Sequence, residues 1–421
     1  MRFLLLPMRF PLETGRSYLT TDLADALLDA GHDVEVLQLD WDARPGGWTE
    51  RLASERGIRV LRVFPRSVGR PGGLLHKVSK FLLSARHVGR EARRHLALEQ
   101  FDAVIGWMPA MAFAPVIRHV ACASVSRRIL FIWDFFPDHH GEIGLIPRGP
   151  IRWAAKRLEE RALSRFTTVF CTLPANAEYL LRHFRLRSEQ EVRIAPVWTK
   201  LEAPLVVDRG AVRVRHGLPP HAPIAVFGGQ IAAGRGFDLM LEAAEIACRQ
   251  ASSLAFLFVG DGPLTGDLAP QAARRPNVFH RPKMDTAEFR ELLGACDVGL
   301  VATVPGVTSH TTPSKTLDYL KAGLPVVAAV EPGNAFAALL EQRGVARAVS
   351  FGDAAAFQRE AAFLAQDRGF REGLAERTYN CLAEIFDVRL AVSAILDAAG
   401  ERHETNSKAR NPALNAACVA K

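Results

Sequence analysis

The chain has 421 residues, of which 48% are hydrophobic and 23% charged, a balance that predicts a soluble protein of roughly two or three domains, each able to bury a core. Its 53 Lys and Arg outnumber 45 Asp and Glu, giving a net charge of +8, which favours anionic partners such as phosphates or an acidic membrane surface. No zinc-finger or RNP pattern points to nucleic acid, no apolar run reaches the roughly 18 residues of a membrane span, and the opening MRFLLLPMRFPLETG turns polar too soon for a secretory signal.

The six cysteines are scattered without a CxxC pair and read as reduced residues in a cytoplasmic setting. Residues 1–7 predict a first strand. A loop carrying Gly15 follows, then a helix over about 17–30, ended by Gly31, and a second strand, DVEVLQL. The loop between them, ETGRS, is not a G-x-G-x-x-G. Gly15 either lets a ligand approach the backbone or makes the turn. Residues 58–65 predict a third strand.

The segment 72–98 interleaves Leu74, Leu75, Val78, Phe81, Leu82 and Val88 with Lys77, Lys80, Arg86, Arg90, Arg93 and Arg94. It predicts a basic amphipathic helix that lies on anionic lipid or is a core helix with a solvated basic face. FDAVIGWMP and RILFIWDFFPD predict two further strands. The second runs into a polar cluster of Asp134, Asp138, His139, His140, Gly141 and Glu142. Ligands of open α/β sheets bind beyond the carboxyl ends of strands, so this cluster is well placed. Adjacent loop histidines diverge and no third ligand shows metal spacing, so no metal site is expected. A basic helix over 151–165, the strand TTVFCTL, the helix ANAEYLLRHF and the segment VRIAPVWT complete the first half. Residues 200–221, rich in proline and charge, predict the domain boundary.

Alternation resumes with the strand PIAVFGGQ, the loop GGQIAAGRG and a helix over 237–250. LAFLFVG is the next strand and GDGP a turn; 264–274 predict a helix, NVFHRPK a short strand, 286–295 a helix and DVGLVAT a strand. The stretch 305–330 then reads as loop, short helix, turn and buried strand. Ser314 is the expected N-cap, Gly323 the left-handed stop, and PVVAAV the strand. Lys315 in the first helical turn puts a cation where the helix dipole disfavours one. A bound anion, phosphate foremost, reconciles the two, unless Lys315 is an exposed lysine on an ordinary surface helix. Closing helices are expected over 370–399 and a disordered tail over 400–421.

The run from GGQIAAGRGFDLMLEAA through FVGDGP to PSKTLDYLKAGLPVVA resembles the retaining glycosyltransferases of family four, with GHDVEVL and WDFFPD agreeing in the first half. The resemblance implies an α/β protein of GT-B fold: two Rossmann-like domains facing a cleft, with a C-terminal crossover helix. The expected division is 1–200 for an acceptor domain, 201–380 for a nucleotide-sugar donor domain, 381–399 for a closing helix and 400–421 for the tail.

The resemblance also implies site residues. Its diphosphate-binding Arg and Lys fall on Gln230 and Arg235, and its paired glutamates on His310 and Asp318, the latter toward the donor ribose. Gly15, Gly229, Gly262, Thr312, Pro313, Ser314 and Lys315 complete the expected donor site. The histidine that precedes the kept Asp134 falls on Trp133, so His139 or His140 takes its place. Arg235, Lys315, Asp138 and His139 are the expected catalytic set, with Asp134, Asp138, His139 and His140 on the acceptor side. Fixed cations and loop amides suit a leaving diphosphate, whose charge grows as the sugar–phosphate bond breaks.

The function implied is metal-independent, cofactor-free retaining transfer from a UDP-sugar, or second a GDP-sugar. The acceptor is a lipid-linked saccharide of O-antigen, capsule or exopolysaccharide assembly, at the inner membrane face. The other readings are a catalytically weak GT-B scaffold subunit, a nucleotide-sugar epimerase and, weakest, a dinucleotide oxidoreductase.

Overall fold

Buried apolar runs alternate with amphipathic helices to build two parallel sheets in the computed structural model, which describes residues 1–13, 18–70, 73–123, 125, 127–304, 306–307 and 312–400. The described chain divides into a unit of residues 1–197 with 388–400 and a unit of residues 198–387; the expected tail beyond residue 400 lies outside the described residues.

The first unit holds β1 (Arg2–Leu6), β2 (Asp33–Leu39), β3 (Thr49–Ala53), β4 (Arg59–Val63), β5 (Ala103–Trp107), β6 (Arg127–Ile132), β7 (Thr168–Cys171) and β8 (Glu191–Ile194). Their order is β3-β4-β2-β1-β5-β6-β7-β8, with β3 antiparallel and the rest parallel. Strands β1 and β5 are buried almost throughout, as a sheet covered on both faces requires. The helix Val388–Ala399 packs against the helix Leu19–Asp29 and β6. The antiparallel edge strand β3 and the helical segment 110–122 were not expected from sequence. The strand TERLA has no apolar alternation, and AMAFAPVIRHVAC is too uniformly apolar to show a helical period.

The second unit holds β9 (Ile224–Gly228), β10 (Ala255–Val259), β11 (Val278–Arg281), β12 (Val298–Ala302), β13 (Val326–Val330) and β14 (Ala346–Ser350). Their order, β11-β10-β9-β12-β13-β14, is all parallel. This is the doubly wound order, which reverses between β9 and β12. The stretch 200–221 is not all linker: Asp208 accepts from the Ala211 amide at 3.0 Å and caps the helix Arg209–Arg215. Buried Arg213 pairs with Asp297 at 2.9 Å. Asp297 also accepts from the Ile224 amide at 2.9 Å, locking this helix to the start of β9.

Candidate active site

The reversal between β9 and β12 is where the second unit opens. The two strands pair only through Val298 with Ala225 and Gly299 with Val226. Tyr319, fully buried, fills the fork. Its hydroxyl accepts from the Gly228 amide at 2.9 Å and donates to the Leu300 carbonyl at 3.2 Å. Its ring lies where a Cβ on Gly299 would stand, 2.3 Å from the nearest ring carbon. Tyr319 thereby pins the helix Lys315–Lys321 into the fork.

That anchoring fixes Lys315, one turn earlier. Its Nζ stands 3.5 Å from the centre of the Phe227 ring. Burial pushes its pKa well below the usual lysine range, and the Arg235 guanidinium pushes the same way. No described carboxylate pairs with it.

The loop after β9 carries Gly229, Gln230 and Arg235, all exposed. The loop after β10 locks onto it: Ile231 donates to the Asp261 carbonyl at 3.1 Å and Leu264 to the Ile231 carbonyl at 3.0 Å, with Gly262 between. A Cβ on Gly260 would lie 1.9 Å from the Gly229 carbonyl oxygen, so only glycine permits this approach. Pro313 and Lys315 are half-buried; Ser314 and Asp318 are exposed, the latter one turn along from Lys315. Thr312 precedes them, while Gly15 and His310 lie outside the described residues. Ser314 stands at the expected N-cap position but does not cap with its side chain. Its backbone is already helical (φ −59°, ψ −25°) and its side chain makes no cap bond. The Thr316 amide donates instead to the Pro313 carbonyl at 3.0 Å.

In the first unit, β6 delivers Trp133 and exposed Asp134, and the short helix Asp138–Glu142 follows. Trp133 packs 5.6 Å from Trp107 at the end of β5. His139 and His140 are both half-buried, with ring centres 6.2 Å apart. Burial lowers the His140 pKa, the Asp134 charge opposes this, and His139 adds to it. No described group of three His, Cys, Asp or Glu could hold a metal ion.

Asp138 departs from its expected role. It is buried and clasped by Lys156 and by Arg152, the latter at 3.3 Å. Both carboxylate oxygens face cations, which suits a structural strut. Lys80 also departs. Its Nζ turns inward, donating to the Trp41 carbonyl at 2.7 Å over the Trp41 ring.

Sequence reasoning missed Tyr319, Lys156 and Glu159. The sign of the latter two is an inverted helix: in Pro150–Leu163, Lys156 and Glu159 point inward while Trp153 is 64% exposed.

Doubly wound units in tandem, the second with a glycine loop beyond its first strand where Arg235 and Lys315 are neighbours, define an α/β protein of GT-B fold. The family described as "Glycosyl transferase 4-like domain" matches residues 14–198, and "Glycosyl transferases group 1" matches residues 222–367. The chain belongs to the family-four glycosyltransferases. It is 24% identical over 329 residues to "Putative colanic acid biosynthesis glycosyl transferase WcaI" of Escherichia coli K12, covering 74% of this chain and 79% of that protein.

Among solved structures, sucrose-phosphate synthase of Thermosynechococcus elongatus superposes with a TM-score of 0.67 at 14% identity, covering 94% of this chain and 98% of that one. Anabaena Alr3699/HepE in complex with UDP and glucose gives 0.64 at 15%, covering 94% and 100%.

Proposed function

We propose that this glycosyltransferase moves a sugar from a nucleotide sugar, UDP-sugar first and GDP-sugar second, onto a lipid-linked saccharide, with retention and without a metal ion or other cofactor. The observation that carries this reading is the Lys315–Arg235 pair: two basic side chains beside an exposed glycine loop, the charge of Lys315 disfavoured by burial and by Arg235, with no described carboxylate to balance it. A diphosphate supplies the missing charge. As the sugar–phosphate bond breaks, its electron pair stays on the departing phosphate, and the two cations stabilise that charge as it grows. Gly229, Gln230, Gly262, Thr312, Pro313 and Ser314 line the same donor pocket, and Asp318 accepts from the ribose hydroxyls. UDP in the HepE complex and colanic acid in the name of WcaI agree with donor and pathway class.

The acceptor side is assigned to the first unit, at Asp134, His139 and His140. Docking at the inner face of an anionic membrane is supported by the helix Leu74–His95. There Leu75, Val78 and Leu82 are exposed beside Lys77, Arg86, Arg90, Arg93 and Arg94, and its one acid, Glu91, is buried. Leu145, ahead of the helix Pro150–Leu163, and Trp153, in its first turn, are exposed as well. No described helix is long and apolar enough to cross a membrane.

A thermal-shift screen against UDP, GDP, ADP and their sugars tests the donor reading. Ligand well above its Kd should stabilise the protein by a few kcal/mol, about 2.7 at a hundredfold excess. Transfer of labelled sugar onto a lipid-linked acceptor tests the reaction. Donor binding without transfer or hydrolysis would favour a scaffold subunit instead.

A further inference from the structure

Glu159 is fully buried, yet its two carboxylate oxygens are spoken for by backbone alone. They accept from the Ala110 amide at 2.6 Å and the Met111 amide at 2.9 Å, at the start of the turn that leaves β5. One turn back on the same helix, Lys156 reaches Asp138, and Arg152 reaches the same carboxylate at 3.3 Å. The guanidinium of Arg152 lies against Gly141, where an added Cβ would stand 2.7 Å from its Nη1. Lys156 also seats its Nζ on the Phe184 ring, 3.2 Å from the centroid. One helix face thus grips two segments: the turn Ala110–Phe113 after β5, and the helix Asp138–Glu142 after β6, which carries His139 and His140. Neither segment is held at this end by strand pairing.

We propose that Glu159 is a positioning residue for acceptor binding, acting with Lys156, Asp138 and Arg152 as a strut that holds the turn after β5 and the histidine-bearing helix after β6 as one body. The acceptor role rests on the function proposed above; the strut does not. A carboxylate fits because both acceptor atoms face amides. In Glu159→Gln the side-chain NH2 group opposes one of those N–H groups, so the turn loses a bond without losing volume.

The test is hydrogen exchange of the full chain at pH 8, where the Glu159 carboxyl is ionised and both oxygens accept, read by mass spectrometry and followed by steady-state kinetics. Glu159→Gln should speed exchange at least fivefold in peptides covering 108–113 and also in those covering 134–146. Asp138→Asn, which leaves Glu159 intact, should reach the same two regions from the other end. Change confined to one region in both variants overturns the strut. In the transfer assay, Glu159→Gln should raise the acceptor KM about tenfold while kcat and the donor KM stay within about twofold. An active variant with an unchanged acceptor KM overturns the positioning role. If the wild-type protein transfers no sugar at all, the proposed function fails, and the exchange data still decide whether the strut exists.

Discussion

Lys315 is held 3.5 Å over the ring of Phe227 with Arg235 as its charged neighbour. An aromatic face at the end of β9 and a second cation define its surroundings, and burial leaves it poorly solvated. Such a lysine gains its full charge when an anion arrives.

Nucleoside diphosphate binding should therefore be accompanied by proton uptake. Burial and Arg235 hold the free-enzyme pKa of Lys315 low, and a bound phosphate raises it. Calorimetry of UDP binding in two buffers of different ionisation enthalpy should give different apparent enthalpies at a pH above the depressed pKa. Lys315→Met should abolish the difference; a buffer-independent enthalpy in the wild type would remove the argument.

Arg235→Ala and Asp318→Ala should each reduce turnover at least tenfold, about 1.4 kcal/mol or more of transition-state stabilisation, with the fold intact. Both side chains are exposed and outside the packed interior, so circular dichroism should not change. Wild-type rates in both variants would sink the donor-site assignment.

Tyr319→Phe should keep the packing of the ring against Gly299 and lose only the hydroxyl's two bonds. Leaving the Gly228 amide and Leu300 carbonyl unpaired should cost about 1–3 kcal/mol of stability. Because Tyr319 sets the helix that carries Lys315, UDP affinity should weaken as well. Isothermal titration and urea unfolding report the two effects separately.

Burial pushes the Glu159 carboxyl up to about 7, against the pull of the two amides and Lys156. A folded pKa above the unfolded value means that the folded state holds the proton more tightly. This contribution is complete below the unfolded pKa of about 4.5 and is lost as pH rises through about 7. Unfolding free energy should fall between pH 5 and pH 8 by up to about 3 kcal/mol from this group. Glu159→Gln should remove that slope, followed by tryptophan fluorescence, since all tryptophans but Trp198 lie in the first unit.

Replacing Lys77, Arg90 and Arg93 by Gln should weaken sedimentation with vesicles containing anionic lipid, as should Trp153→Ser. Lys80→Gln should have little effect on lipid binding, since that ammonium is engaged by Trp41. Unchanged sedimentation in the triple variant would rule out the basic helix as the docking face.

Alternating apolar runs and glycine-ended helices determined the α/β character and the tandem of doubly wound units. Those signals are local: a buried parallel strand such as VVAAV must be apolar throughout, and Gly323, at φ +71°, stops its helix within a few residues. The start of a short helix marked Lys315 as a cation against the dipole, and the family resemblance marked Arg235. They gave no hint of which atoms face which. Whether Lys80 points to solvent or to Trp41, whether Asp138 is free or clasped, and whether Ser314 caps a helix are settled by residues distant along the chain. So is the burial of Glu159 against amides 48 and 49 residues away. Charge pairing and desolvation depend on neighbours in space, and only the folded chain brings those neighbours together.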